Sequence, residues 1–97
     1  MPRLIWSPAA LDDLDAIDAY FLEHDVPASN VFRAIDRVAD RLLDYPRLGR
    51  ALSEPFRVMG VRGTDYIVIY RLRDAGVEIV RIRHGREDWL GQVEAEL

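Results

Sequence analysis

The first half of the chain carries apolar residues at the spacing of an α-helix. A short apolar segment, Arg3 to Trp6, comes first and predicts a strand. Ser7 and Pro8 follow it, and these residue types are typical of the N-cap and the first position of a helix. Beyond them, apolar residues recur at intervals of three and four, at Leu11, Leu14, Ile17 and Phe21. This spacing predicts an amphipathic helix with one buried stripe.

A second helical pattern begins after the turn at residues 24–26, where Pro27 to Asn30 are typical of a helix start. Its apolar stripe consists of Val31, Ile35, Val38 and Leu42, widened by Phe32, Ala39 and Leu43. The pattern ends at Tyr45-Pro46, because a residue before proline is disfavoured in the helical conformation. Two helices joined by a short turn are predicted to form an antiparallel hairpin.

Beyond a loop at residues 46–50 the period of the pattern changes from helical spacing to alternation, which is typical of strands. Strands are predicted from Phe56 to Val61, from Tyr66 to Arg73 and from Val77 to Arg83, with turns at residues 62–65 and 74–76. Short turns between consecutive strands predict an antiparallel meander. Residues 86–97 are predicted to form a short or frayed helix.

These elements predict an α+β fold in the order β-α-α-β-β-β, followed by a short C-terminal helix. A small antiparallel sheet packs on the helical hairpin, and one face of the sheet stays open. The alternation predicts that the buried face holds Phe56, Val58, Tyr66, Val68, Tyr70, Leu72, Val80 and Ile82. It predicts that the open face holds Arg57, Met59, Ile67, Ile69, Arg71, Arg73, Ile79, Arg81 and Arg83.

Five arginines around an apolar centre are consistent with two arrangements. The acidic C-terminal segment would fold back over the sheet and pair with them, or they would bind an acidic partner. Arginine beside exposed apolar residues is the composition of interface centres, which favours the partner. We therefore expect the open face to be a binding surface.

Composition and charge narrow the class of protein. The chain has 97 residues, of which 49% are hydrophobic and 31% charged, a balance that predicts one soluble globular domain over residues 1–97. Because it contains no Cys, disulfides, thiolate zinc sites and cysteine nucleophiles are excluded. No apolar segment has the length of a membrane span and no signal peptide is evident, so we expect a cytoplasmic location.

Charges of opposite sign are separated along the sequence. All 13 basic residues are Arg, and the net charge of −4 disfavours nonspecific nucleic-acid binding. Residues 1–45 hold 4 Arg and 9 acidic residues, whereas residues 46–86 hold 9 Arg and 4 acidic residues. The acidic run of Asp12, Asp13, Asp15 and Asp18 suits the positive end of a helix dipole and is expected to be structural.

The two His residues are expected to form local hydrogen bonds. His24 lies in the turn between the helices, and His84 ends the last predicted strand. With two His and no Cys, no group of residues has the spacing of a metal site. We therefore predict neither a metal nor a cofactor.

Several short motifs occur in an order that resembles one protein family. They are Leu11-Asp12-Asp13-Leu14, Tyr45-Pro46-Arg47-Leu48-Gly49-Arg50, Phe56-Arg57-Val58, Tyr66-Ile67-Val68-Ile69-Tyr70-Arg71 and Ile82-Arg83-His84-Gly85-Arg86-Glu87-Asp88-Trp89. Together they resemble the ParE branch of the RelE/ParE toxin superfamily, from about Arg3 to Trp89. The resemblance implies a bacterial type II toxin-antitoxin module with a role in plasmid stabilisation. It also implies a ParD-like cognate antitoxin whose acidic, disordered segment folds onto the toxin.

The superfamily resemblance implies two competing activities. RelE-like members are ribosome-associated mRNA endonucleases, whereas ParE-like members inhibit DNA gyrase and do no chemistry. Cleavage would need a general base, a general acid and cations on the phosphate, roles for which Glu54, Arg57, Arg83 and His84 are the candidates.

RelE-like enzymes commonly carry a Tyr or a Lys cluster near the end of the last strand. Here Gly85 follows His84 and the chain contains no Lys, which favours the gyrase inhibitor. The alternatives are the mRNA endonuclease and an inactive interaction module on the same fold. We expect no membrane partner and no specific DNA binding.

Overall fold

In a computed structural model of the chain, which describes residues 3–74 and 76–85, two helices pack on one face of a five-stranded sheet. The elements are β1 (Arg3–Trp6), α1 (Pro8–Glu23), α2 (Ser29–Asp44), β2 (Arg50–Ala51), β3 (Phe56–Gly60), β4 (Tyr66–Arg73) and β5 (Gly76–His84). The predicted α+β fold with its helical hairpin and meander is confirmed. The predicted helix at residues 86–97 lies outside the described residues.

The sheet has the order β1-β5-β4-β3-β2 and is mixed rather than wholly antiparallel. Strand β1 pairs in parallel with β5, from Arg3 opposite Gly76 to Trp6 opposite Ile79. The hairpin α1–α2 carries the chain away from β1, so the meander returns with β5 beside it and running in the same direction. The loop predicted at residues 46–50 ends in the short strand β2, which pairs with β3.

The start of α1 is joined directly to β5. The Ser7 hydroxyl accepts a hydrogen bond from the Ala10 N–H at 3.0 Å, which confirms the predicted N-cap. The same hydroxyl donates to the Val80 carbonyl at 2.7 Å, and the Ser7 N–H donates to the Ile79 carbonyl at 3.0 Å. Ser7 therefore fixes the helix start to the sheet as well as capping it.

The buried stripe of α1 is displaced by one position from its predicted start. Ala10 is fully buried, whereas Leu11 is 48% exposed, so the prediction for Leu11 is wrong. Residues 10, 14, 17 and 21 keep the helical spacing and face the sheet. The stripe begins at a small residue, and the sequence pattern hid it because alanine is a weak marker of a core position.

The core between the helices and the sheet shows which side chains of β3 and β4 face the helices. On β4, the predicted inward set of Tyr66, Val68, Tyr70 and Leu72 is confirmed. On β3, the predicted orientation is wrong, because Met59 packs in the helix-side core while Phe56 and Val58 lie on the other face with Ile69. The alternation of β3 permits either orientation, and its pairing with β4 selects this one.

A β-bulge reverses the orientation of side chains along β5. Ile69 lies opposite Arg81 and Tyr70 lies opposite Ile79, so Val80 is an extra residue with no partner on β4. Ile79 and Ile82 therefore both face the helices, and Val80 joins the opposite face. The predictions that Ile79 points outward and Val80 inward are wrong for this reason.

The hydroxyl of Tyr70 anchors the loop between α2 and β2. It donates to the Pro46 carbonyl and accepts from the Gly49 N–H, each at 2.8 Å, and the tyrosine is fully buried. A Cβ on Gly49 would lie 2.5 Å from this hydroxyl oxygen, so only glycine fits. Burial raises the pKa of Tyr70, although the hydrogen bond from Gly49 and the charge of Arg57 each lower it.

We expect Tyr70→Phe to destabilise the fold by about 1 to 3 kcal/mol, because the Pro46 carbonyl and the Gly49 N–H lose their buried partner. Urea unfolding of the purified protein measures this loss. Tyr20→Phe is the matched control, since Tyr20 is exposed and its hydroxyl makes no hydrogen bond to a described residue. Equal unfolding midpoints for the two variants would contradict the role of Tyr70.

The raised pKa of Tyr70 also predicts a pH dependence. Above about pH 10 the unfolded chain releases the hydroxyl proton while the folded chain retains it, so the free energy of unfolding falls as pH rises. We expect the wild type to lose more stability than Tyr70→Phe between about pH 9 and pH 11. Thermal melts across this range test it, and parallel profiles for the two proteins would refute it.

Candidate functional site

The face of the sheet away from the helices, called here the second face, has an apolar centre. Val58 and Ile69 are buried there, and partly buried apolar side chains pack against them. These neighbours are Leu52, Phe56, Ile67 and Val80. Ile67 and Ile69 therefore lie where alternation placed them, but Ile69 has no exposed surface to offer a partner. The outer apolar residues of the second face are those available for contact.

Two of the predicted arginines share one carboxylate on the second face. The Arg71 Nε donates to the Glu78 Oε1, and the Arg73 Nη1 donates to the same oxygen at 3.2 Å. The Arg71 guanidinium also lies 5.9 Å from the centroid of the Phe56 ring, within the range of a cation-π contact. Glu78 thus offsets part of the positive charge of this surface.

Arg81 points to helix α1 and not to a partner surface. Its Nε donates to the Asp13 Oδ2 at 2.8 Å, and its Nη2 donates to the Asp13 Oδ1 at 3.0 Å. The Ile82 N–H donates to the same carboxylate at 2.9 Å. The side chains of Arg81 and Asp13 are only 17% and 14% exposed. Arg81 pairs with Ile69 of the second face, where alternation predicts it, but Asp13 holds its guanidinium at the edge of the sheet, so this charge is not available to a partner on the second face.

Arg57 lies on the helix side of the sheet. It stands between Phe56 and Val58, which face the other way, and it pairs with the inward-facing Tyr70. Its positive charge lowers the pKa of the Tyr70 hydroxyl. Its Nε is buried without a hydrogen-bond partner. The second face therefore lacks Arg57, Met59 and Ile79, and the guanidinium of Arg81 is held by Asp13.

A groove of about 680 Å³ lies between the second half of α1, the start of α2 and the ends of β4 and β5. Arg83 and His84 both line it, beside Tyr66 and Asp65. The His84 ring meets the Tyr66 ring edge to face at 5.4 Å between centroids, and its Nε2 lies 3.8 Å from the Asp65 Oδ2. The remaining lining residues are Asp13, Ala16, Ile17, Tyr20, Phe21, Val31, Gly63, Thr64 and Ile82.

The structure does not assemble the four candidates for ribonuclease chemistry. Tyr66 pairs with His84 and Tyr70 pairs with Arg57, which separates Arg57 from the groove by four positions along β4, about 13 Å. Glu54 precedes β3, whose first residue, Phe56, pairs with Arg71, five positions from Tyr66 and about 17 Å along β4. Only Arg83 and His84 share one site. A catalytic base must lie within hydrogen-bond reach of its substrate proton, which these separations prevent for all four together.

Sequence reasoning missed Asp13, Tyr66 and Asp65 as site residues. The acidic run predicts a helix-dipole role for Asp13, yet this residue lies three residues after Ala10 and four before Ile17, on the stripe that faces the sheet. That spacing was the available signal for a carboxylate in contact with β5. Tyr66 and Asp65 had no such signal, because the turn at residues 61–65 brings them beside His84.

The other expected local contact involves His24. Its Nδ1 lies 2.8 Å from the Tyr20 carbonyl oxygen, which is the local contact expected of it, and the residue forms the C-cap of α1. Within residues 3–74 and 76–85, no three His, Asp or Glu side chains are grouped to hold a metal ion. No helix in that part of the chain has the length and apolar character to cross a membrane.

Comparison with known proteins gives a consistent set of relatives. Residues 4–89 match the family described as ParE toxin of type II toxin-antitoxin system, parDE. Toxin RelE2 of Caulobacter vibrioides is 34% identical over 85 residues, which are 87% of this chain and 96% of the relative.

Solved structures share the fold at lower identity. The chromosomal ParDE system from P. aeruginosa aligns with a TM-score of 0.65 at 20% identity, over 87% of this chain and 96% of that chain. A mutant of the E. coli toxin RelE in complex with an antitoxin RelBc peptide aligns with a TM-score of 0.68 at 16% identity, over 97% of this chain and 93% of that chain. These structures support the architecture of two helices on a sheet.

The Asp13 contact predicts a large effect on stability. We expect Asp13→Asn to lower the free energy of unfolding by about 3 kcal/mol, because Arg81 loses the counter-charge of a mostly buried pair. Asp12→Asn, on the exposed side of the same helix, is the control and should change stability by less than about 0.5 kcal/mol. Urea titration compares the two. A loss for Asp13→Asn no greater than that of the control would rule out this role.

Proposed function

The chain belongs to the ParE toxin family of type II toxin-antitoxin systems, and on this premise we propose that it inhibits DNA gyrase by binding to it. The proposal includes neutralisation by a cognate, ParD-like antitoxin and a cytoplasmic location. The observation that carries it is the separation of Glu54 and Arg57 from the groove that holds Arg83 and His84. A protein that acts by binding needs surfaces of suitable shape and charge, and it needs no assembled acid and base.

The antitoxin segment is proposed to lie on the second face of the sheet. Phe56, Ile67 and Val80 are partly exposed there and supply apolar contacts, while Arg71 and Arg73 supply positive charge. A disordered segment that folds on binding must offset its ordering entropy, so it requires contacts of both kinds. The RelE mutant was solved in complex with an antitoxin RelBc peptide, and the ParDE structure is of a toxin-antitoxin system, which supports a partner of this class.

The second candidate function is ribosome-dependent mRNA cleavage. The groove brings the cation Arg83 and the imidazole of His84 together with the phenol of Tyr66, and these groups suit a phosphate and a proton transfer. The relatives named RelE belong to the same superfamily. An inactive interaction module is the third reading, and absence of toxicity would identify it.

We expect induced expression of the protein alone to stop bacterial growth, and coexpression of its antitoxin to restore growth. Purified toxin should block gyrase supercoiling and leave ribosome-programmed mRNA intact. Cleavage of that mRNA, slowed by His84→Ala and Arg83→Ala, would replace gyrase inhibition with the endonuclease. Unimpaired growth at verified protein levels in a strain with sensitive gyrase would identify the inactive module.

The proposed antitoxin surface predicts a charge effect at Arg73. Its side chain is 47% exposed and its bond to Glu78 is long, so Arg73→Glu should leave the melting temperature nearly unchanged. Antitoxin binding should weaken at least about tenfold, or 1.4 kcal/mol, mainly through slower association. Arg62→Glu, at an exposed turn position, is the control of equal charge change. Surface plasmon resonance measures both rates, and unchanged affinity would place the antitoxin elsewhere.

A further inference from the structure

The loop at residues 45–50 exposes two large apolar side chains near each other. Tyr45 is 63% exposed and Leu48 is 41% exposed, and a hydrogen bond from the Leu48 N–H to the Tyr45 carbonyl closes a turn between them. Beside them is an apolar hollow of about 420 Å³, formed by the loop, Asp44 and Leu72. Exposed large apolar groups next to a concave surface are a feature of interaction sites.

The loop that carries these two exposed side chains is held in place by a buried residue. The buried Tyr70 hydroxyl bonds both Pro46 and Gly49, one on each side of Leu48. A loop fixed in this way loses little conformational freedom on binding, so its contacts contribute more fully to affinity. The loop is therefore presented as a rigid binding element.

Positive charge lies beside the hollow in the chain: Arg47 lines it, Arg41 precedes Asp44 by three residues and Arg50 follows Leu48 by two. Arg41, Arg47 and Arg50 are exposed, and none forms an ion pair with a residue in the described part of the chain. Asp44 is the acidic residue among the lining residues of the hollow. Tyrosine and arginine are the residue types enriched at the energetic centres of protein interfaces. The surface suits a partner that offers carboxylates around an apolar side chain.

We propose that the 45–50 loop contacts the target of the toxin, through a protein surface with an apolar side chain that enters the hollow and carboxylates that pair with the arginines. This inference rests on the proposed function, in which the target is a protein. An RNA target is disfavoured because the hollow is apolar and Asp44 repels phosphate. The site is separate from the His84 groove, since Leu72 lies six positions from Tyr66 along β4, about 20 Å.

The location also accounts for neutralisation. Arg50 pairs with Val58, which lies at the centre of the second face, so the proposed antitoxin and target surfaces meet at β2. An antitoxin segment that covers the second face as far as β2 blocks access to the loop.

The test compares Tyr45→Ala and Leu48→Ala with Leu22→Ala, a control that truncates the same residue type at a position 76% exposed. Each variant is assayed for growth inhibition, for gyrase inhibition, for antitoxin affinity and for melting temperature. We expect the two loop variants to need at least tenfold more protein to inhibit growth and gyrase. Their antitoxin affinity should stay within threefold of wild type and their melting temperature near it, and Leu22→Ala should match wild type throughout.

Wild-type potency in both loop variants would overturn the inference. If the loop variants lose antitoxin affinity to the same extent, the loop belongs to the antitoxin interface and the inference is wrong. If the loop variants lose binding to a labelled single-stranded RNA while they still inhibit gyrase, the inference is wrong as well. The proposed function can fail independently of the inference. Wild-type protein that stops growth without inhibiting gyrase refutes gyrase as the target, and the growth assay of the loop variants then still tests whether the loop contacts the target. Wild-type protein that leaves growth unaffected refutes both.

Discussion

The carboxylate of Asp13 is the contact on which the position of helix α1 depends. It accepts two hydrogen bonds from Arg81 and one from the backbone of Ile82, beyond the point where β1 stops pairing with β5. Without it, an unpaired backbone N–H and a buried guanidinium would lie between the helix and the sheet. Ser7 bonds the same strand a few residues earlier, so α1 is attached to β5 at two successive points. The groove beside His84 owes its shape to this attachment, since α1 forms one of its walls.

The parts of the fold that were predictable are those decided by neighbours in sequence. The cap at Ser7, the helical stripes and the alternation of β4 are local patterns, and the structure follows them. The orientation of β5 was not predictable, because one unpaired residue, Val80, reverses it and alternation cannot show a bulge. The orientation of β3 depends on its register with β4, which is a long-range choice. The parallel pairing of β1 with β5 was also not predictable, because it too is a long-range contact.

The chemistry of the site was less predictable than the fold, because each arginine acquires its role from a distant residue. Alternation grouped Arg71, Arg73 and Arg81 on one surface, but Glu78 bonds the first two and Asp13, across the helix layer, bonds the third. The number of basic residues in a strand therefore gives the positive charge of that strand, but it does not show how much of this charge is available to a binding partner. Arg83 and His84 are adjacent in the chain and line the same groove, while Tyr66 joins them only through strand pairing.

Because β5 lies between β1 and β4, the sheet cannot be completed during synthesis until β5 has been made. The pairing of Arg3 with Gly76 joins the beginning of the chain to a strand that emerges after the helices and the other strands. A nascent chain that stops before β5 has no neighbour for β1, no partner for Asp13 and no wall for the groove. At translation rates of about 5 to 20 residues per second, β5 emerges seconds after β1. A translation product that ends before β5 therefore has neither the Asp13 attachment of α1 nor the groove beside His84.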